Sequence, residues 1–249
     1  ELAEKYLMDN TPSDTTVDIC IKDYLNINDK TVKNALKGYK TGVEFEEKPV
    51  IFNPYIIGVW LGDGASAKAL ISSQDSKILH YLRNELKTEN LNLSYVSKYD
   101  YNIVGDLHKK IPNENTFKMT LKHYDLFNNK HIPDDYKINS RKIRLQILAG
   151  LLDTDGYYDE RMNVFEITQK NKRLSDDILF VSRSLGFGVS QTKINKHCYY
   201  KGEKREDFYY RINIYGNGLD EIPTICTRKR AYNRIRNKDP LVNSINIVP

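Results

Sequence analysis

The chain has 249 residues, of which 40% are hydrophobic, and it carries a net charge of +5. This length suits one large domain or two of about 100–120 residues each. No apolar run approaches the roughly 18 residues of a membrane span, and three widely spaced cysteines exclude a disulfide framework and a paired-cysteine zinc site. Without a secretory signal pattern, the composition predicts an intracellular protein of the cytoplasm or nucleus, not a secreted one.

Charge is distributed unevenly along the chain. Residues 1–50 contain seven lysines against ten Asp or Glu, whereas residues 51–249 contain 31 Lys or Arg against 23 Asp or Glu. A basic body, in a chain with 18 tyrosines, is typical of a protein with a polyanionic partner.

Residues 1–50 are predicted to be a small separate element. Residues 17–21 alternate like a short strand, and residues 29–36 favour a short helix that is ended by Gly38. The acidic stretch 44–49 is interpreted as a linker into the main body.

An apolar run over residues 56–64 (IIGVWLGDG) closes on Asp63. The run predicts a helix that begins after the N-cap Asn53, with Pro54 at its first position. Gly64 is expected to end this helix in a left-handed turn. Beyond it, residues 67–73, 93–99 and 117–122 are strand-like, and Asp75 caps a predicted helix between the first two.

Residues 148–156 (LAGLLDTDG) repeat the pattern 92 residues later. This second helix is predicted to begin after the N-cap Ser140 and to end in a left-handed turn at Gly156. Residues 163–168, 189–194, 199–200 and 209–215 are strand-like, and a helix stopped by Gly186 is expected between the first two of these strands. Residues 197–205 have the composition of a hairpin tip.

The two copies match in register. Gly58 corresponds to Gly150, so each helix carries a stripe of small residues along one face. Packing of the stripes would bring the helices closer than the usual separation of about 8–10 Å and place Asp63 and Asp155 at one end. That end is the negative pole of both helix dipoles, where a divalent cation would relieve the repulsion between two carboxylates. The alternative is two buried helices that each happen to end in Asp-Gly.

The second copy differs from the LAGLIDADG signature of homing endonucleases at Leu152 and Thr154 only. The first copy resembles the looser form of two-repeat, intein-encoded members, and the resemblance covers about residues 50–235. It implies an α+β fold in which two αββαββα repeats, residues 51–140 and 141–249, form a pseudo-twofold DNA-binding saddle. It also implies a monomer that cuts double-stranded DNA at a long asymmetric site, leaves short 3′ overhangs and uses Mg²⁺, or Mn²⁺ in its place.

The resemblance further implies roles for individual residues. The candidate metal ligands are Asp63, Asp155, Gly62 and Thr154. Lys130, just before an Ile-Pro pair, is one active-site lysine, and Lys229 in a basic cluster is the other, with Arg230 as the alternative. Gln169 is placed where the family orients metal-bound water, and Ser73 is its counterpart in the first repeat.

Further residues are candidates for contact with DNA because they are basic or polar and lie on predicted strands, turns or the hairpin tip. They are Lys68, Ser73, Lys98, Lys118, Arg161, Lys170, Lys193, Lys201, Lys204, Arg205, Arg211 and Arg230.

The chain begins with Glu1 and ends with Pro249, without the residues that an intein uses for splicing. This predicts an endonuclease domain separated from its host protein and splicing domain. The alternative function is a non-catalytic nucleic-acid binder of the same type, an RNA maturase or a regulator. Retention of Asp63 and Asp155 favours the enzyme.

Overall fold

The computed structural model describes residues 19–36, 38, 41–105, 115–200 and 203–234, without the side chains of residues 198–200 and 203–205. Residues 41–236 form one compact unit, and residues 19–38 belong to a second. In the second unit, the described residues form helices α1 (Ile21–Leu25) and α2 (Lys30–Ala35). The helix expected over 29–36 is confirmed. The strand expected over 17–21 is wrong at Ile21, which begins α1, and residues 17–18 lie outside the description.

The compact unit 41–236 contains two halves in chain order. The first half consists of α3 (Pro54–Asp63), β1 (Leu70–Ser72), α4 (Ser76–Thr88), β2 (Leu91–Ser97), β3 (Asp100–Gly105), α5 (Thr116–His123) and α6 (Asp134–Lys137). The second half consists of α7 (Arg141–Asp155), β4 (Gly156–Asp159), β5 (Val164–Gln169), α8 (Lys172–Ser184), β6 (Gly188–Tyr200), β7 (Glu203–Tyr215) and two 3₁₀ turns, Leu219–Glu221 and Thr227–Lys229.

Each half contributes one antiparallel sheet, in strand order β1-β3-β2 and β4-β5-β7-β6. The predicted α+β class is therefore confirmed. In the first half, the counterpart of β4 is reduced to a single bridge between Gly64 and Ile71. None of the helices in the described ranges has both the length and the apolar character that a membrane span requires.

The centre of the unit is the pair of motif helices, α3 and α7, which pack with almost no side chain between them. A Cβ atom added to Gly58 would lie 2.3 Å from the carbonyl oxygen of Ile147, and one added to Gly150 would lie 2.2 Å from that of Tyr55. Both contacts are with backbone, which cannot move aside. The predicted small-residue stripe therefore forms the helix interface.

Replacement of Gly58 by alanine is expected to lower the free energy of unfolding by about 3 kcal/mol, because the new methyl group would force the backbones apart. Urea unfolding followed by circular dichroism would measure the change. Gly42→Ala is the matched control, since a Cβ there would lie 3.4 Å from its nearest neighbour, an ordinary contact. Equal effects of the two substitutions would argue against the tight interface.

Gly64 and Gly156 do not adopt the left-handed conformation that was predicted. Their φ angles are −78° and −80°, in the extended region. Each helix instead leads directly into extended chain, and a Cβ at Gly64 would lie 2.3 Å from the carbonyl oxygen of Trp60. The glycine is needed for space and not for a positive φ.

One further prediction is wrong. Residues 117–122 belong to helix α5 and not to a strand, because Asn115 caps them and Phe117, Thr120 and Leu121 form one buried helical face. Ser140 is the N-cap of α7, as predicted, although its side chain makes no capping hydrogen bond. The other predicted helices and strands of the unit are present, with ends shifted by a few residues. Residues 201–202 of the expected hairpin tip lie outside the description.

Residues 41–50 contain no helix or strand. They are held at the N-terminal end of α7, where the fully buried Arg144 donates hydrogen bonds to the carbonyl oxygens of Val43, at 2.6 Å, and Ser184, at 2.8 Å. The side chain of Asn139 bonds in addition to both backbone polar groups of Lys48. The stretch interpreted as a linker is thus tied to residues around the start of α7.

Candidate active site

Asp63 and Asp155 are the last residues of the two motif helices. Both residues are exposed to solvent on one side. The pKa of Asp63 is raised to about 6, first by partial desolvation and then by the negative charge of Asp155, while Lys229 and Lys130 oppose the shift. The two carboxylates and two lysines therefore act on one another electrostatically at the shared end of the helix pair.

Lys130 lies over the end of the first motif helix. Its ammonium group donates hydrogen bonds to the carbonyl oxygens of Gly62, at 3.0 Å, and Gly64, at 2.7 Å, and it stands 5.1 Å from the centre of the Trp60 ring. Burial lowers the pKa of Lys130 to about 8, against the opposing effect of both aspartates. A cation at this position complements the unsatisfied carbonyl groups of a helix C-terminus.

Lys229 holds the same position on the second motif helix. It is 6% exposed, and its ammonium group donates to the carbonyl oxygens of Leu152, Asp153 and Thr154 at 2.8–3.0 Å. Burial lowers the pKa of Lys229. Arg230, the alternative residue, is exposed. The geometry therefore gives the two helices equivalent lysines, Lys130 and Lys229.

Gln169 contacts one of the carboxylates directly. Its amide nitrogen donates to Asp155 at 2.6 Å from the end of strand β5. Ser73, its counterpart, is buried just after β1, and its hydroxyl oxygen accepts a hydrogen bond from the backbone of Asp75. The first half thus has no direct equivalent of the Gln169–Asp155 contact at Ser73.

Asp153 is a site residue that the sequence reasoning missed. It is 3% exposed and accepts hydrogen bonds from the Tyr55 hydroxyl at 2.7 Å and from the backbone of Ile225 and Cys226. Burial raises the pKa of both Asp153 and Tyr55. The carboxylate thus joins the first motif helix to the segment that precedes Lys229. The signal available in the sequence was an acid inside an apolar helical run.

A cleft of about 670 Å³ opens beside Asp63. Its lining includes Ser73 and Asp75 from the first half and Asp153, Thr154 and Thr227 from the second. The space next to Asp63 is therefore an open cleft lined by both halves and not an enclosed pocket.

The carboxylate pair fits a hard divalent cation. Mg²⁺ is commonly bound by one or two carboxylates, with water and substrate phosphate completing its shell. In the part of the chain that the structure describes, no cluster of three or more His, Cys, Asp or Glu offers a complete cage. Gly62 and Thr154 were also predicted as ligands, but the carbonyl oxygen of each accepts a hydrogen bond from a lysine. Asp63 and Asp155 are thus the charged groups that would hold a divalent cation.

The residues predicted to contact DNA do not share one face of the second sheet. Arg211 lies opposite Thr168, on the face away from buried Phe165, and its guanidinium is 3.2 Å from Glu166. Lys193 lies on the other face, since it pairs with Tyr210 and stacks on Phe208. The register therefore places these two basic residues on opposite faces of the sheet.

The remaining predicted contacts are scattered. Lys118 is exposed on helix α5, and Lys170 is paired with Asp207. Lys98 has a φ of 40° in the turn between β2 and β3. The backbone carbonyl oxygens of Lys68 and Arg161 accept hydrogen bonds from Trp60 and Arg234. Lys201 lies outside the description, as do the side chains of Lys204 and Arg205.

The raised pKa of Asp63 predicts a pH dependence. Below about pH 6 the carboxyl group is protonated and cannot hold a cation, so cleavage should fall as the pH drops through 6. The stability of the metal-free protein should change with pH in the opposite direction. Because the pKa of Asp63 is higher in the folded protein than its ordinary value of 3.8, stability is lost as the pH rises from 3.8 through about 6. Asp63→Asn should therefore stabilise the metal-free protein at neutral pH by up to about 1 kcal/mol, allowing for solvent screening. Thermal unfolding at several pH values would measure this, and an unchanged pH profile in Asp63→Asn would contradict it.

The chain is similar in sequence to several known proteins. Residues 131–238 match the family model described as homing endonuclease. A replicative DNA helicase DnaB from Mycobacterium intracellulare is 32% identical over 146 residues, 58% of this chain and 21% of the helicase. The homothallic switching endonuclease of Saccharomyces cerevisiae is 26% identical over 214 residues, 76% of this chain and 36% of that protein. The chain thus spans about a fifth and about a third of these two relatives.

Solved structures of the homing endonuclease I-DmoI are also similar. A structure of its mesophilic variants has a TM-score of 0.43 and 14% identity, covering 65% of this chain and 87% of that chain. Its complex with DNA and Mn has a TM-score of 0.41 and 16% identity, covering 65% of this chain and 88% of that chain. The family match supports the resemblance to homing endonucleases over residues 131–238, which contain the second motif copy.

Proposed function

We propose that this chain is a site-specific endonuclease that hydrolyses both strands of double-stranded DNA. The observation that carries the proposal is the pair Asp63 and Asp155 at the shared end of two closely packed helices, with Lys130 and Lys229 seated on the two helix ends. A binding protein has no need to place two repelling carboxylates and two partly desolvated lysines together.

Phosphodiester hydrolysis requires an activated water, stabilisation of the charge that develops on phosphate, and stabilisation of the leaving oxygen. Mg²⁺, or Mn²⁺ in its place, would supply Lewis acidity and a water of lowered pKa when held by Asp63 and Asp155. Gln169 fixes the orientation of the Asp155 carboxylate through its hydrogen bond. Lys130 and Lys229 would keep positive charge beside the scissile phosphates, and the pKa of Lys130, lowered to about 8 by burial, suits proton transfer near neutral pH.

Several finer features are part of the same proposal. Two unequal halves in one chain suit a monomer that binds a long asymmetric target, and one lysine–aspartate site for each strand suits staggered cuts with short 3′ overhangs. An intein origin is supported by the helicase relative, because 146 matched residues account for only 21% of that protein. Such partial coverage is expected of an endonuclease inserted into a host protein of another function.

A library of plasmids with randomised inserts, incubated with the protein and Mg²⁺, tests the proposal. We expect linear products whose ends map to one defined sequence and carry 3′ overhangs. Ca²⁺ in place of Mg²⁺ is the control and should support binding without cutting. Tight sequence-specific binding with no cutting under any divalent cation would favour the non-catalytic binder instead.

Binding should depend steeply on salt because residues 51–249 carry an excess of basic residues. A protein that neutralises some six phosphates loses roughly 1,000-fold in affinity between about 50 and 200 mM salt. Fluorescence anisotropy with labelled target duplex in Ca²⁺ would measure the slope. A flat response would rule out phosphate contacts as the main source of affinity.

A further inference from the structure

Each active-site lysine is carried by a short loop whose contacts cross to the opposite half. The Lys130 loop is defined here as residues 129–132 of the first half, and the Lys229 loop as residues 225–229 of the second. Neither loop belongs to an α-helix or strand of the unit. Their positions therefore depend on side-chain and backbone hydrogen bonds from neighbouring elements.

The Lys130 loop is held by the start of helix α8 in the second half. Asn171 is the N-cap of α8, where its side-chain oxygen accepts from the backbone of Leu174 at 3.2 Å. The amide nitrogen of the same side chain donates to the carbonyl oxygen of Lys130 at 2.8 Å. Asp177, six residues further along the chain in α8, accepts from the backbone of Ile132 at 2.9 Å.

The Lys229 loop is held in the same manner by the start of helix α4 in the first half. Asp75 is the N-cap of α4, and one carboxylate oxygen accepts from the backbone of Lys77 and Ile78. Its other oxygen accepts from the buried Cys226 thiol at 3.2 Å, and the Lys77 side chain bonds to the Thr227 hydroxyl. Helices α4 and α8 occupy equivalent places in the two halves, so the arrangement is reciprocal.

We propose that Asn171 and Asp75 are positioning residues that act crosswise: each caps the helix of its own half while it fixes the lysine loop of the opposite half. The consequence is that each half sets the geometry of the active-site lysine of the other half, and this consequence rests on the proposed function. A lysine ammonium held within hydrogen-bond distance of a helix end keeps its place only while its loop is fixed, and a shift of about 1 Å can cost 100-fold in rate.

Two substitutions test the proposal without removal of the helix caps. Asn171→Asp keeps the capping oxygen but replaces the donor to Lys130 with an acceptor. Cys226→Ala removes the thiol donor to Asp75, and Cys226→Ser restores a donor. Asn115→Asp is the matched control, since Asn115 caps α5 and donates to the carbonyl oxygen of Ile103 at 2.6 Å, within one half and away from both lysine loops.

The first measurement is strand-specific cleavage of a supercoiled target at saturating DNA and Mg²⁺. We expect Asn171→Asp to slow, by about 10-fold, the strand whose cutting depends on Lys130, with the other strand changed less than about twofold. Cys226→Ala should slow the strand that depends on Lys229, and Cys226→Ser should recover it. An Asn171→Asp variant that slows both strands equally, or that behaves like Asn115→Asp, would overturn the proposal.

The second measurement is independent of nuclease activity. Limited trypsin digestion without DNA or metal should cut Asn171→Asp faster after Lys130, and Cys226→Ala faster within Arg228–Arg230, with sites outside these segments unchanged. General destabilisation would raise cutting at all sites, as Asn115→Asp would reveal. If the parent protein cuts no DNA, the proposed function fails, whereas unchanged trypsin sites in Asn171→Asp and Cys226→Ala would refute the crosswise anchoring alone.

Discussion

Asp155→Asn is expected to lower the rate of DNA cleavage by about 1,000-fold or more, while affinity for the target in Ca²⁺ changes little. The substitution keeps the shape of the side chain and removes the negative charge that would hold the cation at the helix end. Asp63→Asn should have the same effect, because the two carboxylates act on one another at one site. Single-turnover cleavage of a target plasmid, with binding measured in parallel, separates the two properties.

The matched control is Asp159→Asn. Asp159 ends strand β4, four residues beyond Asp155, and accepts a backbone hydrogen bond from Met162 that an asparagine can also accept. This variant should cut at close to the parental rate. Cleavage by Asp155→Asn at the parental rate would mean that the active site lies elsewhere in the molecule.

Lys130→Met and Lys229→Met should each slow one strand by about 100-fold and accumulate nicked circles before linear product. Methionine keeps an aliphatic stem of similar length but removes the ammonium group that donates to Gly62 and Gly64 in one case and to residues 152–154 in the other. Differential end-labelling of the two strands of a supercoiled target, followed over time, would show which strand each lysine serves.

Arg230→Met is the control for the second lysine. Arg230 is exposed, whereas Lys229 is buried against the helix end, so loss of the arginine should leave both strand rates nearly unchanged. If Arg230→Met slows one strand and Lys229→Met does not, the active-site residue of the second half is the arginine. If none of these variants changes the cleavage rate of either strand, the basic cluster has no role in cleavage.

The features that were predicted correctly from the sequence depend on the spacing of residues that are close together along the chain. The close packing of Gly58 and Gly150 follows from a four-residue stripe, and Asn53 and Asp75 are N-caps with local partners. The error at residues 117–122 also has a local cause. Apolar residues alternate in this short segment, at Phe117, Met119 and Leu121, which is the pattern of a strand, and only the fold shows that Phe117 and Leu121 share the buried face of a helix.

Features that depend on partners far along the chain were not predictable from one sequence. The hydrogen bonds of Asp153 reach back to Tyr55 and forward to Ile225, separations of 98 and 72 residues. Likewise, the extended conformation of Gly64 follows from its bridge to Ile71, which a helix-end rule does not consider. Lys130 and Lys229 were found through a family resemblance, whereas the helix ends to which they are bound became visible only in three dimensions.

The hydrogen bond between Tyr55 and Asp153 favours the association of a first half with a second half. In register, the first helix has Leu61 where the second has Asp153, and the second has Ile147 where the first has Tyr55. A symmetrical dimer of two first halves would bury two tyrosine hydroxyls against leucine, and a dimer of two second halves would bury two carboxylates against isoleucine. Each unsatisfied group costs about 1–3 kcal/mol. If the halves were expressed as separate polypeptides, this single pair would bias them toward the mixed dimer and against either self-paired form.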